Sequence, residues 1–379
     1  MRIDAHVHYL PPMDAEEKRA FQHQDPYWGL LIYPPTGHSI QGFADAHRML
    51  HDMDHAGIDR VVIQGEYRRH HASCQDRNDT AIVLVSQHPD RFTAFATIQP
   101  LAGQASLDEL KRCLDGGLQG VGELNPYAQG FTVHHPDFLR MVEMCITTGV
   151  PLNLHVSEEV GHYYFGKSTT PLREYYWLAT EYPELKLILA HWGGGLLFHE
   201  IVPSVRHGLK NVWYDTAASP LLYPTPAVFN LALQCVDPHK ILFGSDYPLL
   251  LYPSRQKEPD FTSFLQQIDD LGLAADVYAD IMGNNMARLL GLVPADTPPV
   301  TLRQTEAFDK TPNRIDAMMS VRYTAERWPD TQAVFERHGI PWQDTPVPFW
   351  EPVRQAAAAR GMDLAAQEAL INELNEAIG

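Results

Sequence analysis

Eight short apolar runs, each followed by a segment of helical spacing, recur over about 290 residues of this chain, the span of a (β/α)8 barrel. The runs occupy residues 3–8, 60–64, 92–98, 120–124, 150–156, 185–191, 212–215 and 240–246. Val61-Val62-Ile63 and Leu187-Ile188-Leu189 are apolar at successive positions, as strands covered on both faces are. Between the runs, Phe43, Ala46, Leu50 and Met53 repeat at helical spacing. A helix over 76–88 is stopped by Pro89, and Ser106 with Glu109 forms a capping box ahead of a helix over 107–114. The expected fold is therefore α/β, a (β/α)8 TIM barrel. A doubly wound open sheet is the alternative, weakened because no Gly-x-Gly-x-x-Gly follows the first run.

Three parts are expected: a barrel over 1–292, a linker over 293–313 and a small helical domain over 314–379. The linker holds Pro294, Pro298, Pro299 and Pro312 without periodicity; the last part carries a stripe of Leu370, Leu374 and Ile378. Residues 9–41 read as a long insertion with Pro11-Pro12, Pro26-Tyr27-Trp28 and Tyr33-Pro34-Pro35. Loops of this length are commonly functional, and an ordered lid over the site is the expectation.

In such a barrel the C-terminal ends of the strands face the active site. The polar residues at those ends are His6 and His8 on the first run, Glu123 on the fourth, His155 on the fifth, His191 on the sixth and Asp246 on the eighth. His6 and His8 are two apart and share a face. Each residue alone has a plainer reading: a hydrogen-bonded core histidine, a turn cap, a carboxylate paired with a cation. Together they are the imidazole and carboxylate donors that hold a divalent metal such as zinc. A metal brings the pKa of bound water to about 7.

The pieces Asp4-Ala5-His6-Val7-His8, Leu154-His155, Ala190-His191-Trp192-Gly193-Gly194, Phe243-Gly244-Ser245-Asp246-Tyr247-Pro248 and Gly283-Asn284-Asn285-Met286-Ala287-Arg288 resemble the amidohydrolase superfamily. The resemblance is to its amidohydrolase-related branch, which includes aminocarboxymuconate semialdehyde decarboxylase. It implies a metal-dependent barrel enzyme with His6, His8, His155 and Asp246 as ligands. His191 would contact the metal's water or a second metal, and Asp246 would also accept a proton. Glu123 departs from that decarboxylase, which has no carboxylate ligand on strand four. It is more similar to TatD-like and phosphotriesterase-like hydrolases, where that carboxylate bridges two metals. The segments Tyr323–Pro329 and Val334–Ile340 resemble the small N-terminal helical domain of iron-sulfur-cluster repair proteins. The cysteines that normally follow are replaced by Pro341-Trp342-Gln343-Asp344, so no iron role is carried over.

Lys+Arg is 29 against Asp+Glu 47, a net charge of −18, which argues against nucleic acid or an anionic membrane as partner. No apolar run reaches the roughly 18 residues of a membrane span. The 4 cysteines form no C-x-x-C pair and read as buried thiols of a cytoplasmic protein. The partner expected is a small molecule, and a homo-oligomer is compatible with the sequence. Arg68 and Arg69 after the second run read either as a carboxylate site or as a solvated turn. His162, Tyr164, Lys167 and Trp192 are further candidates for contact with substrate. The expected function is a metal-dependent hydrolase activating water against a carbonyl- or ester-type bond, with one or two divalent metals, zinc first and manganese second. Asp246 and His191 carry the catalysis. The alternatives are a decarboxylase of an unsaturated or aromatic acid, and a non-catalytic binding protein that would predict broken ligands.

Overall fold

The computed structural model describes residues 1–35, 38–293, 314–343 and 351–378. Eight parallel strands follow one another around a barrel: β1 (Ile3–His8), β2 (Arg60–Gln64), β3 (Phe92–Ala94), β4 (Val121–Leu124), β5 (Leu152–Leu154), β6 (Leu187–Leu189), β7 (Val212–Asp215) and β8 (Ile241–Leu242). Ladders join β1 to β3 and β4 to β8. Two seams close the ring. Ala96 bridges to Val121, with Gly122 N donating to Ala96 O at 3.0 Å. Val7 bridges to Tyr247, with Ala5 N donating to Phe243 O at 2.7 Å and Asp246 N to His6 O at 2.9 Å.

Ile3, Ala5, Val62, Phe95, Ile188 and Leu242 form one apolar cluster with helix Asn285–Leu289. Only the inside of a closed barrel brings β2 and β6 into one cluster, so this is the barrel interior. A larger cluster, including Val61, Ile63, Leu152, Leu154, Leu187 and Leu189, packs the strands against the surrounding helices.

Several strands are shorter than the apolar runs suggest. β6 stops at Leu189 because His191 and Trp192 take left-handed backbone conformations (φ 57° and 59°) that no strand continues through. β8 stops at Leu242, and Asp246 is left-handed at φ 69°. The last polar residues of these runs thus sit on turns.

The insertion after β1 is helical, which corrects the reading of residues 9–41 as a loop. Its helices are Ala15–Gln24 and Pro26–Ile32. Asp14 accepts from Glu16 N and Glu17 N, and the Glu17 side chain accepts from Asp14 N, a capping box present in the sequence. Pro26 opens the second helix, where a missing N–H costs nothing. Phe21, Trp28 and Ile32 bury themselves with Leu10 and Tyr67.

The helix expected over 76–88 begins earlier, at His71, because nothing in the residues from His71 to Gln75 breaks it. The second compact unit, Phe308–Gly379, has its own core of Val321, Ala325, Val334, Phe335, Leu370 and Leu374. Its helices are Val321–Arg327, Thr331–Arg337, Val353–Ala358 and Leu364–Ala377. The expected linker lies outside the described residues except for Val293. All four cysteines are free and buried. No helix among the described residues is long and apolar enough to cross a membrane.

Candidate metal centre

The seam between β1 and the end of β8 places His6, His8 and Asp246 side by side. Their approach requires Gly244: a Cβ there would stand 2.8 Å from the His6 Cβ. His6 Nε2 lies 3.2 Å from His8 Nε2, and His8 Nε2 lies 3.3 Å from Asp246 Oδ1. A second group forms from β4, β5 and β6. His155 Nδ1 is 2.8 Å and His191 Nε2 3.3 Å from Glu123 Oε1, and the two ring nitrogens are 3.1 Å apart. Gly122 turns Glu123 inward at φ 127°, a left-handed position where a Cβ would meet Asn153 O at 2.4 Å.

Glu123 faces both groups. Its Oε1 serves His155 and His191, while its Oε2 lies 3.8 Å from His6 Nε2 and 3.9 Å from His8 Nε2. All six residues are buried, and within each triad the donor atoms lie within 4.8 Å of one another.

The outer ring nitrogens decide which lone pairs point inward. His6 Nδ1 donates to Asp215 Oδ2 at 2.8 Å, His191 Nδ1 to Ala217 O at 3.0 Å and His155 Nε2 to Gly166 O at 3.0 Å. With those protons outward, His6 Nε2, His191 Nε2 and His155 Nδ1 present lone pairs to the centre, the arrangement ligating histidines need. Burial resists charge on His6, but the Asp215 and Glu123 carboxylates outweigh it and push the imidazole up to about 10. Burial likewise opposes charge on His191, and the Glu123 carboxylate bonded to it raises it to about 9. Burial disfavours ionised Glu123, yet His155 and His6 hold it well below the usual carboxylate range. Burial also opposes ionisation of Asp246, and the bond from His8 brings it below its ordinary value. The carboxylates thus draw positive charge into the cluster, as protons on His6 and His191 or, once their inward nitrogens give up those protons, as a divalent cation, which fits this imidazole and carboxylate donor set.

Asp215 is the residue sequence reasoning missed. It ends β7 as the ligand candidates end theirs, so the signal was its position on a strand end. Besides holding His6, its Oδ1 accepts from His191 N and Ala217 N, both at 3.0 Å. Asp215→Asn puts an amide where one carboxylate takes four donors, the fourth being Asn153 Nδ2 at 3.5 Å. Metal affinity is expected to fall about 10–100-fold, read by competition with a chelator of known affinity; an unchanged affinity would show that Asp215 does not orient His6.

A cavity of about 600 Å³ opens over the cluster, with His8, Glu123, His155, His191 and Asp246 in its lining. His162 and Tyr164 line it too. Trp28 and Leu31 bring the helical insertion to its wall, where Trp28 packs edge-on against Tyr67 of the segment after β2, and Tyr27 Oη donates to Lys167 O at 2.6 Å, tying the insertion to the loop after β5.

Four residues expected near substrate are placed elsewhere. Arg68 is buried in an ion-pair network, Nη2 to Glu66 Oε2 at 2.5 Å and Nη1 to Asp25 Oδ2 at 3.2 Å, with its guanidinium over the Phe21 ring. Arg77 joins at Glu66 Oε1, 2.6 Å away. A buried guanidinium must be paired, and Asp25 of the insertion supplies the partner. Arg69 is exposed and gives only its backbone N–H to Asp25. Lys167 is buried against Glu158 at 2.8 Å. Trp192 is fully buried, donating to Ser219 Oγ at 2.9 Å and packing edge-on against Phe229, because its left-handed backbone turns the ring into the core.

The amidohydrolase family model matches residues 3–292, the whole barrel. The chain belongs to the amidohydrolase family. It is a metal-dependent enzyme of that superfamily. Among curated proteins, the 2-amino-3-carboxymuconate-6-semialdehyde decarboxylase of Dictyostelium discoideum is similar to this chain, 22% identical over 256 residues. That match covers 57% of this chain and 66% of the relative, just under two thirds of its length. The barrel is similar to 5-carboxyvanillate decarboxylase from Sphingomonas paucimobilis (TM-score 0.59, 16% identity, 76% of this chain and 98% of that one). It is also similar to a dihydroxybenzoic acid decarboxylase from a Polaromonas species with bound manganese and 2-nitroresorcinol (TM-score 0.58, 18% identity, 77% and 97%).

Proposed function

We propose that this amidohydrolase-family chain is a metal-dependent decarboxylase of an aromatic or unsaturated carboxylic acid. This reading replaces the hydrolase expected first from Glu123. The observation that carries it is a buried imidazole–carboxylate cluster at one side of a cavity walled by Trp28, Tyr67 and Tyr164. The decarboxylases to which the chain is similar support it.

His6, His8, His155 and Asp246 would hold a divalent cation, with Glu123 and His191 beside it, and that cation would supply positive charge against the substrate's carboxylate or an adjoining oxygen. Manganese is taken before zinc, because it is bound in the Polaromonas enzyme and because two carboxylates stand in the donor set. Trp28 and Tyr67, packed edge-on at 4.6 Å, give the substrate's flat body an apolar wall and keep water from the reacting carbon. When the bond to the carboxylate breaks, CO2 leaves and its electron pair stays on carbon, where one proton must be added. Asp246 faces the cavity from the end of β8 and is assigned that transfer, with its carboxyl taking up a proton and delivering it at that carbon. His191, against Glu123, fixes the charge balance beside it.

A second reading, hydrolysis of an ester- or amide-type bond, is favoured by one observation: the two oxygens of Glu123 face different triads, as a carboxylate between two cations would. Incubating manganese-loaded protein with a panel of carboxyl-labelled hydroxybenzoates and unsaturated acids, alongside lactones, amides and phosphoesters, separates the two. Labelled CO2 in step with loss of the acid is the expected result. Cleavage of a lactone, amide or phosphoester with no CO2 from any acid would overturn the reading in favour of hydrolysis.

A further inference from the structure

Charge is distributed unevenly in the cavity over the metal centre. Among the described residues that line it there is no lysine or arginine, while Glu123, Glu158 and Asp246 are present. The ammonium behind this wall, on Lys167, is engaged by Glu158 Oε1 at 2.8 Å, and the other Glu158 oxygen accepts from Tyr164 Oη at 2.8 Å. The two further imidazoles of the lining, His38 and His162, are solvent-exposed. Away from the cluster Leu31, Ile40, Phe165, Leu221, Leu222 and Leu249 give the wall an apolar stretch, beside the neutral polar side chains of Ser39, Gln41, Ser157 and Tyr223. The space also exceeds one ring. A cavity of about 150 Å³ accommodates benzene, and this one is about 600 Å³.

We propose that, on the decarboxylase reading, the site selects a monocarboxylic acid whose body is apolar and larger than a single ring, and rejects acids with a second carboxylate. The first carboxylate meets the metal centre. A second would be taken out of water with no lysine or arginine among the described lining residues to receive it, since the nearby Lys167 ammonium is already engaged by Glu158. An apolar substituent at the same place meets leucine, isoleucine and phenylalanine side chains and leaves water in doing so.

Three acids with one head group test this: 2-hydroxybenzoate, 4-phenyl-2-hydroxybenzoate and 2-hydroxyterephthalate, titrated calorimetrically into manganese-loaded full-length protein. The phenyl group is expected to tighten binding at least about tenfold, and the carboxylate at the same ring position to weaken it at least about tenfold. Leu222→Arg, which sets a guanidinium on the apolar wall, is expected to raise the affinity of 2-hydroxyterephthalate relative to 2-hydroxybenzoate by about tenfold. Equal or tighter binding of 2-hydroxyterephthalate by the unmodified protein would overturn the proposal, as would no gain from the phenyl group or no binding of any of the three. Measuring CO2 in the same samples separates this inference from the reading it rests on. Selective binding of the phenyl acid without CO2 leaves the selectivity standing and removes the decarboxylase; CO2 from 2-hydroxyterephthalate in preference to the phenyl acid does the reverse.

Discussion

Asp246→Asn is expected to lower turnover about 10²- to 10⁴-fold, the range a positioned proton donor or acceptor contributes. The amide matches the carboxylate in shape and keeps an oxygen toward His8, so the barrel seam, where Asp246 N donates to His6 O, is retained. What is lost is the capacity to take up and release a proton at the cavity. Turnover is measured at saturating manganese, so that a weakened metal site does not masquerade as lost chemistry, and circular dichroism checks the fold. Near-normal turnover by the variant would remove Asp246 from proton transfer and move that role to another cavity residue.

The second large effect is expected at Glu123. Its oxygens lie 2.8 Å from His155 Nδ1, 3.3 Å from His191 Nε2 and 3.8 Å from His6 Nε2, so one carboxylate spans both triads. Glu123→Gln keeps the volume but removes the charge and turns one acceptor into a donor aimed at ring nitrogens. In a two-cation centre this variant should lose one of two metals, with affinity at the weakened position falling by at least about 100-fold, and activity falling with it. Metal content by elemental analysis, run beside activity, decides the matter. An unchanged content of one metal per chain would show a single cation, with Glu123 serving only to orient His155 and His191.

The barrel and most of its cluster were legible in the sequence for one physical reason. Strands buried on both faces must be apolar, so polar residues at their ends stand out, and His6, His8, Glu123, His155, His191 and Asp246 are all of that kind. Asp215 ends β7 in the same way but was passed over, since its role appears only once His6 and the turn after His191 are folded against it. The insertion was obscured by its prolines. Pro26 starts a helix instead of breaking one, and the Asp14–Glu17 box that marks the preceding helix was there to be read. Arg68 illustrates what local sequence cannot supply: a cation beside a strand end looks like a substrate group until Asp25 and Glu66, 43 and 2 residues away, are seen to hold it. Trp192 next to His191 looked equally placed, and only its backbone conformation decides that the ring points into the core.

The central claim is that these six side chains hold the cation on which the chemistry depends. Anomalous diffraction at the manganese absorption edge, from crystals of full-length protein grown with manganese, tests it without reference to any substrate. The account predicts a peak bounded by His6, His8, His155 and Asp246 with Glu123 and His191 beside it, or two peaks, one in each triad, if Glu123 bridges. No anomalous peak within ligating distance of these residues would contradict it.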